Sequence, residues 1–183
     1  MAFAVVYDAC VLYPSIVRDV LIRVAIEGTV RAHWSDQILD EVFRNLKKNR
    51  PDLDPANLDR TRSLMCEALE DATVTGYESI IDGLVLPDPD DRHVLAAALR
   101  AGAQLIVTVN LKDFPAPALD PFGIEAKGPD DFLVDQYYLS EHAVRAVITL
   151  IARSRNAGTG TEEDVYRELE RAGVVQLAAL LRG

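Results

Sequence analysis

The stretch "PDPDDRHVLAAALRAGAQLIVTVNLKDF", residues 87–114, decides how the rest of the chain is read. Three acids, Asp88, Asp90 and Asp91, stand at the start of an alanine-rich apolar run. An aspartate ahead of a proline caps a helix, the proline fits the first turn, and further acids favour the positive end of the helix dipole. The pattern predicts a helix from Pro89 to Ala101, closed by Gly102. "QLIVTV" is apolar on successive positions, as in a strand buried on both faces, and predicts a strand over 104–109. The unit ends in a second polar cluster, Asn110 to Asp113. Caps and turns account for each acid singly. They do not account for carboxylates at both ends of one helix–strand unit.

Working outward, the same alternation continues. "FAVVYD", residues 3–8, reads as a first strand ending at Asp8. A helix follows over 15–27, capped by Ser15 and ended by Gly28. "VRAHW" is a second strand. Ser35 then caps a helix whose apolar stripe is Ile38, Leu39, Val42, Phe43 and Leu46, and Pro51 marks its end. Asp54-Pro55 starts another helix that runs to about Glu70. "ATVTGY" and, after a proline-rich loop, "IEA" are short strands. Such alternation implies an α/β/α sandwich with a mostly parallel central sheet and right-handed crossovers. Ligands in these sheets bind outside the carboxyl ends of the strands. Asp8, Asp91, Asn110 and Asp113 all fall at that edge, with Thr108 beside them. Glu41 lies mid-helix next to Asp40, and only geometry decides which of the two faces inward.

From about residue 128 the chain is helical only. Val144, Val147, Ile148 and Ile151 form one stripe, and Val165, Leu169, Leu177 and Leu180 continue it later. Both need burial. Ser140 and Thr161 are placed to cap the helices that follow them, and Thr161 with Asp164 fits a capping box. "NAGTGT" reads as a flexible linker. The organisation expected is a first part over 1–132 and a helical extension over 133–183.

The bulk numbers narrow the function classes. A chain of 183 residues, 49% hydrophobic and 26% charged, supports one globular core with room for an appendage. The net charge of −10 argues against loose, charge-driven binding of DNA or RNA. It leaves open an enzyme whose carboxylates are neutralised by cations. The bases Arg44, Lys47, Lys48, Arg50, Arg60 and Arg62 are concentrated, as a solvated helix end or as a phosphate-steering patch. No apolar run approaches the ~18 residues needed to span a bilayer. The start lacks the basic segment and cleavage site of a signal peptide, and two distant cysteines, Cys10 and Cys66, make no disulfide framework. A reducing cytoplasm is the expected compartment.

Clustered carboxylates repel one another unless something positive intervenes. Oxygen-only ligands suit Mg²⁺ or Mn²⁺. His33, His93 and His142 have no metal-ligand spacing and are expected to be structural; His93, two residues past Asp91, is expected to point away from the acids.

On "VVYDACVLYPS" (5–15), "SDQILDEVFRNL" (35–46) and above all "DDRHVLAAALRAGAQLIVTVNLKDF" (90–114), the chain resembles PIN-domain ribonucleases of the kind found as VapC-type toxins in bacterial toxin–antitoxin pairs. The resemblance covers about residues 3–132. It implies that Asp8, Glu41, Asp91 and Asp113 are the catalytic acids and hold Mg²⁺ or Mn²⁺, with Thr108, Asn110 and Asp90 supporting them. It implies endonucleolytic cleavage of RNA to leave a 5′-phosphate and a 3′-hydroxyl, restraint by an antitoxin protein, and in many members a homodimer. Members commonly carry asparagine two residues after the first acid; here Cys10 stands there, a less polar neighbour. Two other functions fit parts of the pattern. One is a catalytically weak PIN-domain scaffold that binds RNA or a protein. The other is a phosphatase-like domain with Asp8 as nucleophile, which wants an acid where Cys10 stands.

Overall fold

Residues 3–183 are described by a computed structural model. The chain enters through β1 (Phe3–Tyr7), whose residues after Phe3 are all buried. One turn, α1 (Ala9–Leu12), and the longer α2 (Ser15–Ile26) lead to β2 (Val30–Ser35). Then α3 (Asp36–Asn49) and α4 (Pro55–Ala68) lead to β3 (Thr73–Val74). A short α5 (Glu78–Ile81), a 3-10 turn over Pro89–Asp91 and α6 (Arg92–Ala101) lead to β4 (Leu105–Val107). A second 3-10 turn, Leu111–Asp113, and α7 (Ala116–Leu119) precede β5 (Glu125–Lys127). The sheet order is β3-β2-β1-β4-β5, and all four pairings are parallel.

That order fixes where a site can form. Right-handed crossovers from β1 to β2 to β3 place α2, α3 and α4 on one face of the sheet; the return to β4 and β5 places α6 and α7 on the other. The direction of winding reverses between β1 and β4, which opens a crevice at their carboxyl ends. Tyr7 is level with Val107 in the ladder. The next residue on each strand, Asp8 and Thr108, therefore emerges side by side at that crevice.

Several local expectations are refined. Ser15 does not cap α2; it is already the first helical residue, and Pro14 precedes it with no side-chain cap. The run from Pro89 begins as a 3-10 turn because the Asp88 carboxylate accepts the Asp90 N–H, two residues on, at 2.9 Å. The strand expected over 104–109 ends at Val107. Beyond it, side chains replace ladder acceptors: Val109 N–H donates to Cys10 Sγ and Asn110 N–H to Thr108 Oγ1. Ser35 and Asp54 do cap their helices. Gly102 closes α6 with φ of 64°, a left-handed conformation that suits glycine.

The last 55 residues form α8 (Pro129–Leu139), α9 (Glu141–Ser154), α10 (Glu162–Arg171) and α11 (Val175–Arg182). Phe132 of α8 meets Tyr7 of β1 edge to face, centroids 6.0 Å apart, so residue 132 lies inside a helix that packs on the sheet. Helices α9 and α10 pack against α2 and each other, burying Val144, Val147, Ile148, Ile151, Val165 and Leu169. Leu177 is buried; Leu180 is only partly so. Thr161 and Asp164 form the full capping box, whereas Ser140 makes no side-chain cap. The expected flexible linker is a folded turn. Gly158 and Gly160 both donate N–H to the Arg155 carbonyl, and a Cβ on Gly160 would sit 2.5 Å from the Ala152 carbonyl.

Candidate active site

Asp8 is the most constrained of the acids. It follows β1, is 4% exposed, and its backbone N–H donates to the Val107 carbonyl. Oδ1 accepts the Ala9 N–H at 2.7 Å, capping α1. Oδ2 accepts the Thr108 hydroxyl at 2.7 Å and the Cys10 thiol at 3.3 Å. Thr108 is fully buried, and its Oγ1 in turn accepts the Asn110 N–H at 3.0 Å. Asn110 thus supports the site through its backbone, not its carboxamide. Cys10 was expected to thin the polar surroundings of Asp8. Instead its sulfur touches Asp8 and Thr108 and accepts the Val109 N–H. Burial and the neighbouring Asp8 push the thiol up to about 12, so it stays protonated and available to donate.

The other acids gather around Asp8 as an electrostatic group. Burial first, then Asp8, Asp88, Asp113 and Glu41, push Asp91 up to about 7. Burial, then Asp8, also raises Glu41, with Asp90 adding to the effect and Arg44 opposing it. Asp113, just past β4, acts on Asp91 across the crevice. Asp91 is half-buried and Asp90 exposed. Of the helical pair on α3, Glu41 turns toward the acids, while Asp40 turns away and pairs with Arg62 on α4. The carboxylates share one field without closing on a point: among the described residues, no three His, Cys, Asp or Glu side chains are gathered into a ready-made metal cage.

His93 overturns an expectation. It is 5% exposed, and its Nε2 lies 3.9 Å from Glu41 Oε2. The expected direction assumed that Asp91 and His93 share one helical wheel; Asp91 instead ends a 3-10 turn before α6 begins. Burial lowers the imidazole, so His93 is neutral and its contact with Glu41 is not an ion pair at neutral pH. His33 stays on β2, and His142 is exposed on α9.

This donor set fits a hard divalent cation. It consists of carboxylate oxygens that oppose one another's charge, and a neutral hydroxyl and thiol keep the most buried of them oriented. The parallel, doubly wound sheet with acids at its switch point defines an α/β domain with an acidic site at the carboxyl edge of its strands. A family model described as "PIN domain" matches residues 4–112, and the chain belongs to that family. A second, described as "VapC50 C-terminal domain", matches residues 129–183. A protein of Mycobacterium tuberculosis (strain ATCC 25618 / H37Rv) named "Putative ribonuclease VapC50" is 62% identical over 58 residues, 32% of this chain. The match spans about a third of that relative's length, 34%. No solved structure matches the chain.

Proposed function

We propose that the chain is a divalent-metal-dependent endoribonuclease and the toxin of a toxin–antitoxin pair, working in the cytoplasm. One observation carries the reading: Asp8 is buried where the sheet reverses its winding, and Asp91 lies within the charge of Asp8, Glu41 and Asp113 there. Membership of the PIN-domain family and the similarity to a protein named as a ribonuclease support it. These four acids would hold Mg²⁺ or Mn²⁺, which when bound activates water and offsets the charge of the phosphate.

The chain's own residues supply position. Thr108 and Cys10 fix the direction of Asp8 Oδ2. Asn110, through its N–H, fixes the Thr108 hydroxyl. Asp91 must shed the proton that its surroundings favour before its oxygens can act as ligands. Asp90 stands outside and adds negative charge toward Glu41. The partners under this reading are an RNA strand, an antitoxin protein and a second copy of the chain. The division into a nuclease part (1–132) and an extension (133–183) belongs to the same proposal, with α8 shared by both. No helix among the described residues is long and apolar enough to cross a membrane.

Incubation of the protein with single-stranded RNA and Mn²⁺, with and without chelator, tests the reading. Metal-dependent internal cleavage that Asp8→Asn abolishes is the expected result. No cleavage together with no heat of Mn²⁺ binding by calorimetry would overturn it in favour of a scaffold.

A further inference from the structure

Beside the acidic crevice lies a cleft of about 290 Å³, lined by Cys10 and Tyr13 on one side and by Glu41, Asn45 and Asn49 on the other. Cys10 and Glu41 belong to the acidic site as well, whereas Tyr13, Asn45 and Asn49 make no hydrogen bond to the acids. The wall of the cleft is one stripe of α3: residues 41, 45 and 49 are four apart and share a face, with Arg44 and Lys48 flanking them at the next position along. The carboxamides of Asn45 and Asn49 make no hydrogen bond within the described residues, and neither does the Tyr13 hydroxyl. Asn45 is nevertheless half-buried. Tyr13 also lines a second cleft, of about 370 Å³, that reaches Leu46 of α3 and Arg50 just past it.

The basic cluster divides along the same line. Lys47 pairs with Asp59, Arg50 with Asp52, and Arg62 with Asp36 and Asp40. These bases tie α3 to α4 or to the turn between them. Arg44 and Lys48 have no ion pair within the described residues and stand exposed on the rim of the cleft. On a chain of net charge −10, these two exposed cations, of which Arg44 also acts on Glu41, mark where a polyanion can run close to the carboxylates.

The chemistry selects the occupant. A carboxamide offers a donor and an acceptor side by side, which matches the edge of a nucleobase. That edge is open only when the base is unpaired, and unpaired bases stack on aromatic rings. The cleft is at the small end for ligand pockets, sized for one base and not for a cofactor. We propose that it is a nucleobase subsite. An unpaired base flanking the scissile phosphate stacks on Tyr13 and is held at its edge by Asn45 and Asn49, while Arg44 and Lys48 neutralise adjoining phosphates. The proposal rests on the ribonuclease reading and names its substrate as single-stranded RNA.

The test uses the full chain, Mn²⁺ and an oligoribonucleotide that the wild type cuts, with single abasic nucleotides placed around the cut. Stacking and edge contacts made equally before and during reaction act on KM and not on kcat. Tyr13→Ala and the Asn45→Ala/Asn49→Ala double variant are each expected to raise KM about tenfold. Tyr13→Phe keeps the ring and should stay near wild type. An abasic nucleotide at one flanking position should raise the wild-type KM by a similar factor and add little in the variants. Should Tyr13→Ala fold poorly, the asparagine double variant, which removes no fully buried side chain, decides alone. Variants that cut with unchanged KM, or an abasic penalty equal in wild type and variants, overturn the subsite while leaving the ribonuclease reading in place. A wild type that cuts no RNA overturns both.

Discussion

Asp91 holds a proton near neutrality because burial and four carboxylates, Asp8, Asp88, Asp113 and Glu41, all oppose its charge. The sign of its effect on stability follows. Its folded value, about 7, lies above the ordinary 3.8, so between those limits the folded state binds more protons than the unfolded one. Stability then falls as pH rises through that window in metal-free buffer. Partial exposure keeps the slope shallow. Thermal melts from pH 4 to 8 should show Asp91→Asn flatter than wild type and higher-melting at pH 8; a lower melting temperature at pH 8 would mark Asp91 as a structural cap. With Mn²⁺ and RNA, Asp91→Asn is expected to lose about 100-fold or more in cleavage, since even residues that merely orient a metal ligand cost 10–100-fold. Asp90→Asn should stay within a few-fold. The reverse ranking would shift the third acid by one residue. Thr108→Val tests the orienting contact: it removes the hydroxyl on Asp8 Oδ2 and the acceptor for Asn110 N–H, and should lower Mn²⁺ affinity about 10–100-fold in calorimetry. Spacing and topology brought Asp8, Asp91 and Asp113 to one edge on paper. Sequence could not show that Cys10 substitutes a thiol contact for a more polar one, nor that His93 turns inward. The thiol contact joins α1 to the residues after β4, about 98 positions away, and the turn of His93 follows a 3-10 turn over Pro89–Asp91 ahead of α6; no periodicity encodes either.

At the scale of elements, capping decides where helices sit. Asp130 at the start of α8 accepts three N–H groups at the start of α11: Val175 at 3.0 Å, Gln176 at 2.8 Å and Leu177 at 3.0 Å. One carboxylate from 45 residues away thus satisfies the orphan donors of α11, which has no cap from its own flanking residue. Arg145 of α9 donates to the Leu181 carbonyl at the other end. Asp130→Ala is expected to cost about 1–2 kcal/mol, read as a lower unfolding midpoint in urea and faster amide exchange at residues 175–177. An unchanged exchange pattern there would mean that solvent caps α11 as well as Asp130 does. Strands and long helices were legible because apolar spacing and local caps such as Ser35, Asp54 and Thr161 are written in neighbouring residues. The Asp130–α11 cap was not, because it joins distant segments. The sequence of the turn after α9 reads as a linker because of its glycines and small polar residues, whereas the fold holds it in a 3-10 turn. In the fold they serve close approach, as at Gly160, and positive φ, as at Gly158.

On the scale of the whole molecule, the four C-terminal helices share one core with the sheet. Tyr7 and Phe132 meet edge to face across the join, α9 and α10 lie on α2, and Arg155 just past α9 holds Glu168 of α10 through both carboxylate oxygens at 2.7 Å. This packing predicts that the extension acts as a structural cap, and truncation after Asn156 puts that to the test. Removing α10 and α11 deletes Val165, Leu169, Val174, Leu177 and Leu181, each at most 3% exposed. The deletion uncovers the faces of α2, α8 and α9 that they cover. Apolar faces left open on α2, α8 and α9 favour unfolding and aggregation, so the truncated chain is expected to be insoluble or to melt far below the full one. A tail that merely gated RNA would leave a folded core with altered cleavage. The discriminating measurement is circular dichroism on the truncated chain at matched concentration. A cooperative melt within a few degrees of the full chain would show that the sheet and α1–α9 carry their own core, and would overturn the cap.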